Sequence, residues 1–150
     1  MELETLKQWM ASAGLDVREG ADGFLLVVRR NLEISVTYLA EADLLVCFAP
    51  LIELAGLGDA QRLEAMSQAL ALNGVGALPP CCALAFDDAG DVIYLLWQQS
   101  PGHLDAAGFE TAFNDFEAAA AQVQGHLRGL LAESGGVTKG YDAQDSLIKV

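Results

Sequence analysis

Residues 81–116 read CCALAFDDAGDVIYLLWQQSPGHLDAAGFETAFNDF. Two apolar runs, Cys81 to Phe86 and Val92 to Gln98, flank the polar segment Asp87-Asp88-Ala89-Gly90-Asp91. Apolar runs separated by a short Asp- and Gly-containing turn predict a β-hairpin. A helix is predicted to begin near Asp105. Leu104 before the cap and Phe109 at the fourth helical position fit a hydrophobic staple. Phe109, Phe113 and Phe116 then form one stripe, which Val123, Leu127 and Leu130 continue at helical spacing, while Gly125 and Gly129 weaken its end.

Working back from this stretch, Asp59 is a candidate N-cap for a helix over about Ala60 to Leu72. Leu63, Met66 and Leu70 form its apolar stripe, and Asn73-Gly74 is expected to supply a left-handed stop. Gly76 to Pro80 reads as a turn. Proline has no N–H, so Pro79-Pro80 should mark a strand start and not its middle. Upstream, Leu32 to Leu39 alternates, with Leu32, Ile34, Val36 and Tyr38 on one face. Phe24 to Arg29 and Asp43 to Ala49 are further strand candidates, the latter ended by Pro50. Arg18 to Gly23 reads as a loop, and Glu2 to Ala13 as a first helix stopped by Gly14.

The order helix, three strands, helix, two strands, helix has its strands in runs with tight connections. That predicts an α+β fold with an antiparallel twisted sheet of about five strands and three helices. One domain is expected over 1–132, followed by a flexible Gly-rich tail over 133–150.

The strands carry a further signal. Phe24 to Val28, Leu44 to Phe48 and Val92 to Trp97 are apolar at successive positions, and successive residues point to opposite faces. Both faces of the sheet are therefore apolar there. Three helices can cover one face well. Either loops or a second layer cover the other, or part of it stays open for a second copy or a client peptide. Composition points the same way: 53% of the 150 residues are hydrophobic and 19% are charged.

The formal net charge is −13, and between Asn31 and His126 the single base Arg62 faces thirteen acids. Such a surface repels phosphate, so nucleic acid and anionic membranes are poor partners. The acidic start Met1-Glu2-Leu3-Glu4 has no basic n-region. The longest apolar run, Leu44 to Ile52, is too short to span a bilayer.

Candidate chemical sites are weak. Asp87, Asp88 and Asp91 lack the EF-hand pattern and its bidentate Glu. Cys81 and Cys82 are adjacent, whereas zinc sites space their cysteines by two to four residues. No Lys or Arg lies near them to lower a thiol pKa. Gly74-Val75-Gly76 lacks the Lys and third glycine of a phosphate loop. With Cys47, the three thiols read as small buried hydrophobes. No metal, cofactor or catalytic residue is expected.

The stretch from Leu70 to about Leu127 resembles the class I type III secretion chaperones, the group that includes the Tir chaperone. In that family a helix ending in a Leu-Asn-like segment leads to a strand, an acidic hairpin and a strand with a polar end. A helix of the form xLDxxxFxxxxxxF follows. The corresponding places are Leu72-Asn73, Ala83 to Asp87, Gln98-Gln99, and Leu104-Asp105 with Phe109 and Phe116. The order of elements is similar over about 1–132.

This resemblance implies a small acidic cytoplasmic homodimer without enzymatic activity or cofactor. Such a protein binds the extended N-terminal segment of a secreted effector and keeps it soluble and export-competent. The secretion ATPase or a regulator are further candidate partners. The resemblance also implies a dimer contact at Leu63, Met66, Leu70, Cys82 and Leu84, and effector contacts at Leu6, Trp9, Leu26, Val28, Ile34 and Val36. Two alternatives stay open: a regulatory or interaction domain of the same fold that binds a folded partner, and a thiol-dependent enzyme or redox sensor using Cys81 and Cys82.

Overall fold

The chain alternates a short amphipathic helix, four strands, a helix, a hairpin and a long helix. Its computed structural model describes residues 1–74 and 76–138, the last five as helix backbone only. The elements are α1 (Leu3–Ser12), β1 (Arg18–Glu19), β2 (Leu25–Arg29), β3 (Leu32–Leu39), β4 (Leu44–Glu53), α2 (Asp59–Leu72), β5 (Cys82–Asp87), β6 (Val92–Gln99) and α3 (Ala106–Thr138). The strands form one antiparallel sheet in the order β1-β2-β3-β4-β6-β5. The fold is α+β, with six strands where about five were expected. The extra strand, Arg18–Glu19, lies inside the segment read as a loop, and its two polar residues carry no periodicity to reveal it.

Register separates the two faces of the sheet. Leu25 pairs with Val36, Val36 with Cys47, Cys47 with Trp97, and Trp97 with Cys82. This row faces the helices, and all of it except the half-buried Cys82 belongs to the buried core. α3 lies on the same side with Phe109, Phe113, Phe116, Ala120, Val123 and Leu127 buried. Full burial of each phenylalanine contributes about 1.5–3 kcal/mol. Asp105 caps α3, its Oδ1 accepting the Gly108 N–H at 2.7 Å. The flexible segment expected over 133–150 begins as helix, since α3 continues to Thr138; its remainder, 139–150, lies outside the described residues.

Three local expectations are corrected. β4 does not end at Pro50 but runs through it to Glu53, with a register shift between Pro50 and Ile52. Pairing of β4 with β3 stops at Phe48, so at Pro50 the strand pairs only with β6, an edge position of the kind that proline tolerates. Asp59 is not a cap: α2 starts at Asp59 after Gly58, with no side-chain cap bond. Asn73 and Gly74 are not left-handed, Asn73 having φ −71 and Gly74 no positive φ. The Asn73 side chain bonds to β5 instead. β5 begins after Pro80, as the proline argument requires. The β2–β3 turn is made by Arg30 (φ 53) and Asn31 (φ 62), a two-residue hairpin with both positions left-handed.

Candidate functional site

A one-residue step along each strand reaches the opposite face, and there no described helix packs. Leu26 pairs with Ser35, Ser35 with Phe48, Phe48 with Leu96, and Leu96 with Ala83. The neighbouring positions on this face include Phe24, Val28, Pro50, Val92 and Tyr94. None of these apolar residues belongs to the core cluster or packs against it. Val28 is 58% exposed, while Phe24, Leu26, Phe48, Tyr94 and Leu96 are half-buried by one another. A β-sheet normally solvated on one side carries polar residues there. This one carries an apolar surface on both sides.

Aromatic rings organise the open face. Phe24 and Phe48 meet edge to face with centroids 5.8 Å apart. Phe48 and Tyr94 meet at 6.3 Å and 69°. Edge-to-face contacts hold the rings in defined positions. Beside them is a cavity of about 320 Å³ lined by Phe48, Pro50, Asp87, Val92, Tyr94 and Leu96. Asp87 is the single charged group in that lining. The face can take apolar side chains from an extended segment.

A second unpartnered apolar surface runs along α2. Ala65 and Ala69 face the core, and their small side chains allow close packing of the helix. Leu63 is 69% exposed and Leu70 73%. Met66, between them at helical spacing, is half-buried.

The two edges of the sheet differ. On β5, the Asn73 side chain donates to the Leu84 carbonyl at 2.9 Å and accepts from the Leu84 N–H at 2.7 Å. Cys82 N–H donates to the Pro79 carbonyl at 3.2 Å. These partners occupy edge groups that could otherwise recruit a strand. At the other edge, two-residue β1 covers β2 only at Leu25 and Leu26.

The residues singled out from sequence fall into separate places. Leu6, Ile34 and Val36 have no exposed surface and Leu84 is also in the core, so all four serve packing. Trp9 is half-buried against Phe109, at 6.1 Å between ring centroids. Leu26 and Val28 lie on the open face, Leu63 and Leu70 on the outer side of α2, and the half-buried Met66 packs against the core. Cys82 is half-buried at the end of the core-facing row. Phe24, Phe48, Tyr94 and Leu96 were not singled out, although each stands one residue out of phase with a core position. The missing information was the phase of each strand.

Burial works against ionisation of two of the three thiols. Burial pushes the Cys82 thiol up to about 11, with Cys81 beside it adding to the effect. Cys47 is fully buried, and that burial raises its pKa far above the ordinary thiol range. Among the described residues, no three His, Cys, Asp or Glu side chains are grouped to hold a metal ion. No described helix is long and apolar enough to cross a membrane.

Comparison with known proteins gives relations of fold. No family model matches the sequence, and no curated protein matches it. Among solved structures, the ExsC–ExsE complex is similar with TM-score 0.62 and 17% identity, covering 83% of this chain and 92% of that one. The Yersinia pestis type III secretion chaperone SycH, solved with a stable fragment of YscM2, is similar with TM-score 0.56 and 16% identity, covering 80% and 97%. YbjN, a putative transcription regulator from E. coli, is similar with TM-score 0.62 and 14% identity, covering 83% and 89%. Three helices on one face of an antiparallel sheet, in this order, give the chain the fold of the type III secretion chaperones.

Proposed function

We propose that the protein is a secretion chaperone that binds the N-terminal segment of a secreted effector in extended form and keeps it soluble and competent for export. The observation that carries this reading is the open sheet face, where Phe24, Phe48 and Tyr94 form a row of rings that the described helices leave uncovered. Apolar side chains of an unfolded segment would enter the cavity at Phe48, Pro50 and Tyr94. Ordering such a segment costs about 2–5 kcal/mol or more, so a large interface must offset it. The net charge of −13 favours clients with basic flanks and keeps the complex dispersed. No catalytic step is assigned to it. Two copies pack through Leu63, Met66 and Leu70 of α2, so that the client wraps a dimer.

The test is co-purification with the N-terminal segment of the effector encoded beside it. Wild type should retain the segment, and Phe48→Asp and Tyr94→Asp should lose it while keeping the wild-type circular dichroism spectrum. Retention by both folded variants would remove the open face from the binding site.

A second reading has its own support, because the same fold occurs in YbjN at an equal TM-score. A regulatory domain would bind a folded partner. Binding that survives when the partner's N-terminal segment is deleted would favour it.

A further inference from the structure

β3 and β4 pair from Leu39 and Leu44 as far as Ser35 and Phe48, and no further. Beyond that point β3 stays with β2 through Ile34, Glu33 and Leu32, while β4 stays with β6 as far as Glu53. The two strands therefore part and leave a notch inside the sheet. A cavity of about 520 Å³ lies there, with Glu33 from β3, Leu51 and Glu53 from β4, and Gln124 and Arg128 from α3 among its lining. Pro50 and Val92 line this cavity and also the one beside the aromatic rings, so the two adjoin.

Leu51 is the residue skipped at the register shift of β4, so it belongs to neither ladder. Its backbone groups have to find partners elsewhere. The carbonyl takes one from a side chain, the Gln124 amide donating to it at 2.9 Å. A side-chain amide has the chemistry of a peptide group, so Gln124 marks the kind of donor that the notch accepts, and the N–H of an extended segment can stand in the same place. The lining carries both signs of charge, Glu33 and Glu53 against Arg128, whereas the cavity beside Phe48 and Tyr94 is mainly apolar. We propose that the extended segment carried by the chaperone passes from the aromatic row into this notch, where its backbone bonds to β4 at Leu51 and its side chains change from apolar to polar. The adjoining cavities select this occupant, because one chain can fill both only by running across Pro50 and Val92. The inference rests on the function proposed above and adds the route of the segment and the chemistry of its second part.

The test places the photo-cross-linker p-benzoylphenylalanine in the full chain in place of Tyr94, Arg128 or Gln122, with the N-terminal segment of the effector encoded beside it as the probe. Irradiation should cross-link the segment from position 94 and from position 128. The attachment points, read by mass spectrometry, should lie in neighbouring stretches of the segment, apolar for the first and polar for the second. Gln122, which lines a different cavity on α3, should catch nothing. A segment cut short before the stretch caught from position 128 should bind roughly fivefold more weakly, as expected when a backbone hydrogen bond is lost. If the variant at 128 does not fold, the exposed Glu53 carries the cross-linker instead. Cross-links from 94 but none from the notch, cross-links from the notch only to a second copy of this chain, or full affinity in the shortened segment would overturn the route and leave capture on the open face intact. No cross-link from either place would overturn the proposed function together with the route.

Discussion

Asn73, the residue after α2, pairs with Leu84 as if it were a short piece of strand, giving one hydrogen bond to its carbonyl and taking one from its N–H. The pair ties the end of α2 to the edge of the sheet and occupies backbone groups at that edge. Asn73→Ala should cost about 1–3 kcal/mol, the penalty for leaving part-buried polar groups unpaired. It should also uncover a strand edge. Urea denaturation and light scattering read the two effects. A variant as stable and as monodisperse as wild type would remove this role from Asn73.

Arg62 is the only Lys or Arg between Asn31 and His126, and it makes a two-pronged contact with Asp91 at 2.7 and 2.9 Å while also donating to the Leu54 carbonyl at 3.0 Å. Arg62 holds the Asp91 carboxyl below its ordinary value of 3.8. A carboxyl whose pKa is lowered on folding stabilises the fold above its unfolded pKa and loses that contribution as pH falls through the lowered value. The stability difference between wild type and Arg62→Met should thus be constant near neutrality and shrink below about pH 4. Urea midpoints across this range check it, and a difference that grows on acidification would contradict the assignment.

How much of this could be read beforehand depends on which force decides each feature. The Phe109, Phe113 and Phe116 stripe and the 87–91 hairpin are local patterns, and both stand where their spacing placed them. Pro50 misled because proline's effect depends on whether a neighbouring strand needs its N–H, and β3 ends its pairing just short of it. Asn73 misled because its side chain serves a strand eleven residues away instead of its own helix end. The effector-contact positions divided for a related reason. Ile34 and Val28 are both aliphatic strand residues, yet register sends one into the core and the other to the open face. One-residue phase is set by tertiary pairing, which a run of apolar residues at successive positions does not display.

The exposed leucines of α2 are the basis for a prediction on assembly. Leu63 and Leu70 gain little from the monomer's own packing, so Leu63→Glu and Leu70→Glu should change monomer stability by no more than about 0.5 kcal/mol. If α2 joins two copies, either substitution buries a charge at the contact and should convert a dimer to a monomer. Sedimentation velocity distinguishes the cases. A mass unchanged by the double variant would place any dimer contact elsewhere.

The core and the open face should respond differently to truncation. Phe116 has no exposed surface and packs between α3 and the sheet, so Phe116→Ala should cost about 3–5 kcal/mol. Phe48 touches Phe24 and Tyr94 outside that core, so Phe48→Ala should cost much less stability while weakening client capture. Denaturation curves for both, beside a pull-down, test the division. Equal losses of stability would mean that the aromatic row holds the fold together and is not held ready for a ligand.

The three thiols should separate by reaction rate, and this decides against or for the redox reading. Cys81 is exposed, Cys82 is half-buried with its thiol pushed up to about 11, and Cys47 is buried. At pH 8 a group with that pKa is ionised to about one part in a thousand, and the thiolate is the reactive form. An aromatic disulfide reagent should therefore label one thiol quickly, a second slowly and the third only on unfolding. Cys81→Ser should abolish the fast phase. Cys82→Ser should leave it in place and keep client binding, apart from a small packing loss at the Trp97 pair. A fast phase that disappears with Cys82, together with lost binding, would instead make Cys82 an activated thiol and revive the sensor alternative.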